Sequence, residues 1–154
     1  MYLISACLAG EPCRMVGRAK PVPEIQALVR AGKAVLVCPE VLGGLDTPRS
    51  PSERQPDGRV VNRLGQDVTA AFARGAALAL EICRNTGCSC AILKARSPSC
   101  GKGEIYDGSF TGTRVPGNGA CAGLLLEAGI PVLTEEEYLI TLQQTENKQS
   151  EVLP

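Results

Sequence analysis

Three short apolar runs, each leading into a turn that carries a cysteine, constrain this chain most strongly. The runs cover residues 3–6, 35–37 and 91–95, and the cysteines that follow them are Cys7, Cys38 and Cys100. If the runs form neighbouring strands of a parallel sheet, their carboxyl ends share one edge, and ligands bind at that edge in such folds. Three thiolates meeting there would form a metal or cluster site with one position left open. The pattern therefore predicts a functional metal or cluster site and not only structural cysteines.

Helical segments alternate with these runs. Residues 24–31 place apolar side chains at helical spacing, and a longer helix begins at Asp67 or Thr69 and reaches about Asn85. A fourth strand is expected at residues 130–133, followed by a last helix that starts with a capping box at Thr134. Short crossovers between parallel strands are right-handed. We expect a three-layer, Rossmann-like α/β domain with a mainly parallel sheet of about four strands and a small hairpin at residues 105–110.

The domain organisation predicted from this order is simple. Residues 1–144 form a single α/β domain that carries the site, and the polar residues 145–154 form a flexible C-terminal tail. Residues 39–66 and 101–117 are long irregular stretches, and long loops inside compact domains tend to be functional.

Charge and hydropathy exclude several classes of protein. Sixteen basic residues balance sixteen acidic ones, so no overall basic field exists to collect nucleic acid. No run approaches the roughly 20 apolar residues needed to cross a bilayer. The first residues lack the basic region of a signal peptide, so we expect a cytoplasmic protein.

The eight cysteines and the absence of histidine narrow the chemistry. The cytosol keeps thiols reduced, so a disulfide framework is not expected. Without histidine, no Ser-His or Cys-His pair can form, and zinc sites of the Cys/His type are excluded. Thiolates without imidazoles favour zinc or an iron–sulfur centre.

Other polar residues lie close to the three cysteines in sequence. Glu40 follows Cys38 by two residues and is either a general acid or base in the same pocket or a surface charge. Ser97 and Ser99 could orient substrate or water, or could serve only the turn that contains them. Cys13 is either a fourth ligand or a free thiol.

The four remaining cysteines are interpreted as packing residues. They are Cys83, Cys88, Cys90 and Cys121. The first three cluster near the amino end of the third strand, at the edge of the sheet opposite the predicted site.

Four segments resemble a known family. They are SACLAGEPCR at 5–14, CPEVLGGL at 38–45, KARSPSCG at 94–101 and GEIYDGSFTG at 103–112. Together they resemble a small bacterial and archaeal family, long labelled as of unknown function, that includes the thiouracil desulfidases. The resemblance extends from Ser5 to about Glu137.

The resemblance implies a [4Fe-4S] cluster held by Cys7, Cys38 and Cys100, with one iron that has no protein ligand. The activity it implies is non-redox desulfuration of a thiolated pyrimidine, a thiouracil-type base or nucleoside, to the oxo form plus hydrosulfide. The open iron binds the exocyclic sulfur, and water activated by Glu40 attacks the ring carbon. Cys13 also matches a cysteine that recurs in the family.

The resemblance also suggests roles for residues near Cys100. Ser99 is expected to position the substrate or relay a proton, with Ser97 as the second choice and a substrate-binding residue. Lys94, or else Arg96, is expected to contact a ring oxygen, unless these side chains face solvent.

Two other functions remain open on the sequence alone. The same open iron could serve a sulfur carrier or sulfurtransferase, with a sulfur donor or acceptor as partner. A non-catalytic zinc- or cluster-binding module is the other, with zinc held by Cys7, Cys13, Cys38 and Cys100. A thiolated transfer RNA ranks below a free base or nucleoside as substrate, because the net charge is zero.

Overall fold

The computed structural model describes residues 1–152. The strands are β1 (Tyr2–Ser5), β2 (Ala34–Val37), β3 (Ser52–Arg54), β4 (Val60–Asn62), β5 (Cys90–Leu93), β6 (Glu104–Tyr106), β7 (Arg114–Pro116) and β8 (Val132–Thr134). The helices are α1 (Pro23–Arg30), α2 (Pro39–Leu42), α3 (Thr69–Thr86), α4 (Ala120–Glu127) and α5 (Glu135–Val152). A 3-10 turn at Ala6–Ala9 follows β1 directly.

The central sheet has four parallel strands in the order β2-β1-β5-β8. From β1 the chain first moves outward to β2 and later returns to the other side of β1 to form β5 and β8. The strand order therefore reverses between β1 and β5, and the carboxyl edge at this reversal is where open α/β sheets bind ligands. This confirms the predicted α/β class and the mainly parallel sheet.

Side chains that alternate along the strands build a core on each face of the sheet. On β1, Leu3 packs into the core shared with α3 and α4, whereas Ile4 packs into the core shared with α1 and α5. On β5, Leu93 and Ile92 divide in the same way. Strands buried on both faces require helices on both sides, which gives the three layers.

The irregular stretches contain structure that the apolar pattern did not indicate. α2 begins immediately after Cys38, and β3 pairs with β4 as an antiparallel hairpin. The other hairpin pairs β6 with β7 and closes through residues 107–113, so the hairpin predicted at residues 105–110 is longer than expected and its second strand begins at Arg114. Strands of only three residues are too short to leave a periodic signal in the sequence.

Helix α5 continues through residues 145–152, where the sequence suggested a flexible tail. Its start confirms the predicted capping box, because the Glu137 N–H donates to Thr134 Oγ1 at 3.1 Å and the Thr134 N–H to Glu137 Oε1 at 3.0 Å. Residues 153–154 of the predicted tail lie outside the described residues. Within residues 1–152, no helix combines the length and hydrophobicity required to traverse a bilayer.

Candidate functional site

A cavity of about 500 Å³ opens at the carboxyl edge of the sheet, beside the reversal between β1 and β5. Six of the seven residues predicted to form the site contribute to its wall. They are Cys7, Cys38, Glu40, Lys94, Ser97 and Cys100. The fold therefore brings together side chains that are far apart in the sequence; Cys7 and Cys100 are separated by 93 positions.

The three predicted cysteine ligands reach the cavity from three adjacent strands. Cys7 lies in the 3-10 turn after β1, Cys38 precedes α2, and Cys100 lies in the turn after β5. Cys13 also contributes to the wall, and the Cys38 thiol donates to the Cys13 carbonyl at 3.8 Å. The Val41 N–H, in the first turn of α2, lies near Cys38 and acts to lower the pKa of its thiol.

The protein environment disfavours uncompensated thiolates in this cluster. The hydrogen bond from Cys13 and burial together raise the pKa of Cys38 far above its usual range. Burial does the same to the pKa of Cys100, although the nearby Ser5 hydroxyl opposes the shift. Adjacent buried sulfurs therefore need either protons or a cationic centre that neutralises them.

The donor set fits an iron–sulfur cluster. Cysteine thiolates are the ligands that hold such clusters, and polar groups near the sulfurs tune them; here the Ser5 hydroxyl and the Val41 N–H are such groups. Within residues 1–152, no three His, Cys, Asp or Glu side chains surround one metal-ion position. A four-iron cluster would be held by three thiolates that line one cavity without converging on a single ion position, as Cys7, Cys38 and Cys100 do here.

Glu40 is held in the cavity wall by Arg49. The Arg49 Nε donates to Glu40 Oε1 at 3.1 Å, and the two side chains are 9% and 16% exposed, respectively. The same guanidinium donates to the Cys13 carbonyl at 3.0 Å, so it also ties the first loop to the second. Burial raises the pKa of Glu40 above its ordinary value, and the Arg49 charge opposes that shift.

The structure places the two predicted serines in different surroundings. Ser99, predicted to act in catalysis, is fully buried outside the cavity wall, and its hydroxyl has no hydrogen-bond partner. Ser97 lines the cavity, and its Oγ accepts the N–H groups of Ser99 at 3.1 Å and Cys100 at 3.0 Å. The turn around Pro98 rotates Ser99 toward α4, which strand and turn patterns do not reveal. The role predicted for Ser99 stays a prediction, whereas Ser97 is the serine that lines the cavity.

Lys94 lines the cavity, but much of its bonding is internal. Its ammonium pairs with Glu135 at 3.2 Å and donates to the Ala95 carbonyl at 2.9 Å. The Ala95 N–H donates to the buried Glu135 carboxylate at 2.7 Å. An ammonium has three N–H donors, so one remains for a ligand.

Three consecutive glutamates at the start of α5 anchor the segment that follows β5. Glu135 pairs with Lys94, Glu136 with Arg96 at 2.7 Å, and Glu137 with Lys102 at 2.9 Å. The segment that carries Ser97 and Cys100 is thus fixed along its length.

Sequence reasoning missed these supporting residues. The acidic triplet was interpreted only as a capping box, and no contact between Arg49 and Glu40 was predicted. Three consecutive acidic residues, together with three basic residues in the segment after β5, could have indicated the ion pairs of the acidic triplet. Nothing in the sequence indicated the contact that Arg49 makes.

The other cysteines lie away from the cavity. Cys83, Cys88 and Cys121 pack in the core on the α3 and α4 face, and Cys90 begins β5 at the amino edge of the sheet. Their placement agrees with the interpretation as packing residues.

Comparisons with known proteins agree with this geometry. The family model described as 2-thiouracil desulfurase matches residues 2–137. The Bacillus subtilis (strain 168) protein YbbK, described as uncharacterised, is 41% identical over 146 residues, which cover 89% of this chain and 97% of YbbK. A solved structure described as the [4Fe-4S]-dependent thiouracil desulfidase TudS matches with a TM-score of 0.84 and 45% identity, covering 92% of this chain and 97% of TudS. This chain therefore belongs to the 2-thiouracil desulfurase family.

Proposed function

We propose that this protein hydrolyses the carbon–sulfur bond of a thiolated pyrimidine base or nucleoside, giving the oxo form and hydrosulfide. The observation that carries the proposal is the meeting of Cys7, Cys38, Cys100 and Glu40 in one cavity at the carboxyl edge of the sheet. Membership in the 2-thiouracil desulfurase family supports the same reaction. The cavity volume of about 500 Å³ lies in the range of small-molecule sites. We also propose that the enzyme is cytoplasmic.

Cys7, Cys38 and Cys100 would hold a [4Fe-4S] cluster and leave one of its irons without a protein ligand. When bound, the cluster supplies a Lewis-acidic, sulfur-binding iron that stabilises the departing sulfide. The likeness to TudS, described as [4Fe-4S]-dependent, supports this cofactor. Cys13 stays outside the ligand set in this proposal, because a fourth thiolate would close the position that the substrate needs.

Glu40 acts as the general base. Arg49 holds its Oε1 and leaves the other carboxylate oxygen to accept a proton from water as the water oxygen bonds to the ring carbon. As the carbon–sulfur bond breaks, the electron pair leaves with sulfur. The proton balance is one water consumed, with hydrosulfide and one proton released, and no electrons are exchanged with another molecule.

Ser97 and Lys94 orient the pyrimidine. The Ser97 oxygen already accepts two backbone N–H groups, so its own proton is available to the substrate or to the departing sulfur. The free N–H of Lys94 is suited to a ring oxygen. Because water supplies the oxygen that replaces sulfur on the ring carbon, and sulfur leaves as hydrosulfide, no sulfur-accepting partner is required.

Sulfide release in the absence of any sulfur acceptor tests the function. Protein reconstituted with iron and sulfide without oxygen is incubated with 2-thiouracil, and uracil and sulfide are measured together. We expect equal amounts of both products and a loss of at least 100-fold in rate for Glu40→Gln. Glu127→Gln, which alters a carboxylate outside this cavity, is the control and should match the wild type. Sulfide release that depends on an added thiol acceptor would instead indicate a sulfurtransferase.

A further inference from the structure

Two residues on the cavity wall have backbone conformations that are unfavourable for their type. Among the non-glycine residues of the described chain, only Arg96 and Phe110 have positive φ, of 64° and 58°. Both line the cavity. A bulky residue in the left-handed region persists only where its surroundings hold it, and such strain concentrates at ligand sites. The ion pair with Glu136 accounts for Arg96, which leaves Phe110 to be explained.

The neighbouring hairpin fixes the position of Phe110. One carboxylate oxygen of Glu53, on β3, accepts the N–H groups of Gly108 at 3.0 Å and Phe110 at 3.1 Å. The loop is closed on itself by hydroxyl contacts, from Ser109 to Thr111 at 2.6 Å and from Thr111 to Thr113 at 2.8 Å. The ring is therefore held in place before any ligand arrives.

Core packing does not explain the ring. The chain has only two phenylalanines and no tryptophan, yet Phe110 belongs to neither core cluster and stands half-buried at the cavity. The Arg63 guanidinium lies over the ring at 5.5 Å from its centroid, a cation–π contact that occupies one face. This contact uses one face of the ring, and both side chains belong to the cavity wall.

The geometry points to Phe110 as the residue that stacks on the pyrimidine ring, an inference that takes the identity of the ligand from the proposed function. Stacking fixes the plane of the ring, whereas Ser97 and Lys94 offer the hydrogen bonds that set its rotation in that plane. An aromatic ring between Phe110 and the buried cysteines is thereby favoured over an aliphatic thioamide or a thiol, neither of which has a ring face to stack.

Kinetics of Phe110 variants give the first test. Removing an aromatic ring that stacks on a base weakens binding by about 5- to 150-fold on substitution by alanine. We expect Phe110→Ala to raise KM for 2-thiouracil within that range, and Phe110→Tyr, which keeps the plane, to stay within about twofold of the wild type. An unchanged KM in a folded Phe110→Ala protein would overturn the inference.

A second test does not depend on turnover. Because the chain has no tryptophan, Phe110→Trp places a single tryptophan at the proposed contact, and its emission can be excited selectively over that of the three tyrosines. Adding uracil, the oxo product, to the reconstituted variant should change its emission, whereas Leu64→Trp, a control at a side chain 75% exposed, should not respond. Equal responses, or none, from the two variants would overturn the inference.

The two tests separate this inference from the proposed function. If the wild type releases no sulfide but Phe110→Trp responds to uracil, the reaction is wrong and the stacking contact stands. If the wild type is active and neither Phe110 variant behaves as expected, the reaction stands and the stacking contact is wrong.

Discussion

The close approach of α2 to α3 offers a sharp test of how the fold positions the site. α2 carries Glu40 and follows Cys38, and at Gly75 of α3 the two backbones meet. A Cβ at Gly75 would lie 2.7 Å from the Pro39 carbonyl carbon, nearer still to its oxygen, and 3.2 Å from the Gly43 nitrogen. Carbon atoms pack best at about 3.5–4.0 Å, and the oxygen is nearer than the carbon, so Gly75→Ala requires α2 to retreat by at least about 1 Å.

Two effects of known size follow from that displacement. Overpacking a core contact lowers the free energy of unfolding by about 1–3 kcal/mol, which for a chain of this length lowers Tm by about 2–12 °C. A catalytic group displaced by about 1 Å loses about 100-fold in rate. We therefore expect Gly75→Ala to remain folded at 25 °C while kcat/KM for 2-thiouracil falls by about two orders of magnitude.

Thermal unfolding and sulfide release measure the two effects, and a neighbouring glycine supplies the control. Gly123, inside α4, has its closest neighbour for an added Cβ at 3.8 Å, an ordinary contact. Alanine in a helix interior is favoured over glycine by about 0.5–1 kcal/mol, so Gly123→Ala should raise Tm and leave kcat/KM unchanged. If Gly75→Ala behaves like Gly123→Ala, the contact between α2 and α3 does not position Glu40.

Three further changes test the surroundings of the site. Cys13→Ser should keep the iron content and activity of the wild type, and loss of iron would make Cys13 a ligand. Arg49→Gln should lower kcat more than it raises KM, because it frees the carboxylate of Glu40, and equal kcat values would refute that role. Glu135→Gln should lower the free energy of unfolding by about 3 kcal/mol in chemical denaturation, since it leaves a mostly buried lysine unpaired. Glu136→Gln, at the exposed neighbouring carboxylate, is the control and should lower the free energy of unfolding by less than about 1 kcal/mol. Equal losses in the two variants would contradict the claim that burial makes the Glu135 pair the more important one.

The sheet and the cysteine positions could be predicted because both depend on local pattern. Apolar runs buried on both faces are recognisable in a sequence, and the residue after such a run falls at the carboxyl edge whatever the loops do. Cys7 and Cys38 were placed in this way, within one or two residues of the observed strand ends. The resemblance to a known family added the cofactor and the reaction.

The remaining parts of the site depend on contacts between distant segments. Arg49 reaches Glu40 because its loop folds back across the first loop, where the Arg49 N–H donates to the Met15 carbonyl at 2.7 Å. Whether Ser97 or Ser99 faces the cavity is decided by the rotation of a single turn. Phe110 reaches the cavity because Glu53, on the polar strand β3, holds the loop between β6 and β7. None of these features has a periodicity that a sequence could reveal.

Iron and acid-labile sulfide content tests the central claim most directly. The protein is reconstituted without oxygen and compared with Cys7→Ala, Cys38→Ala and Cys100→Ala, and Cys90→Ala at the opposite edge is the control. We expect about four irons and four sulfides per chain in the wild type and the control, with loss of the cluster in each of the three variants. Zinc in place of iron, or a full cluster in any of those variants, would contradict a cluster held by Cys7, Cys38 and Cys100.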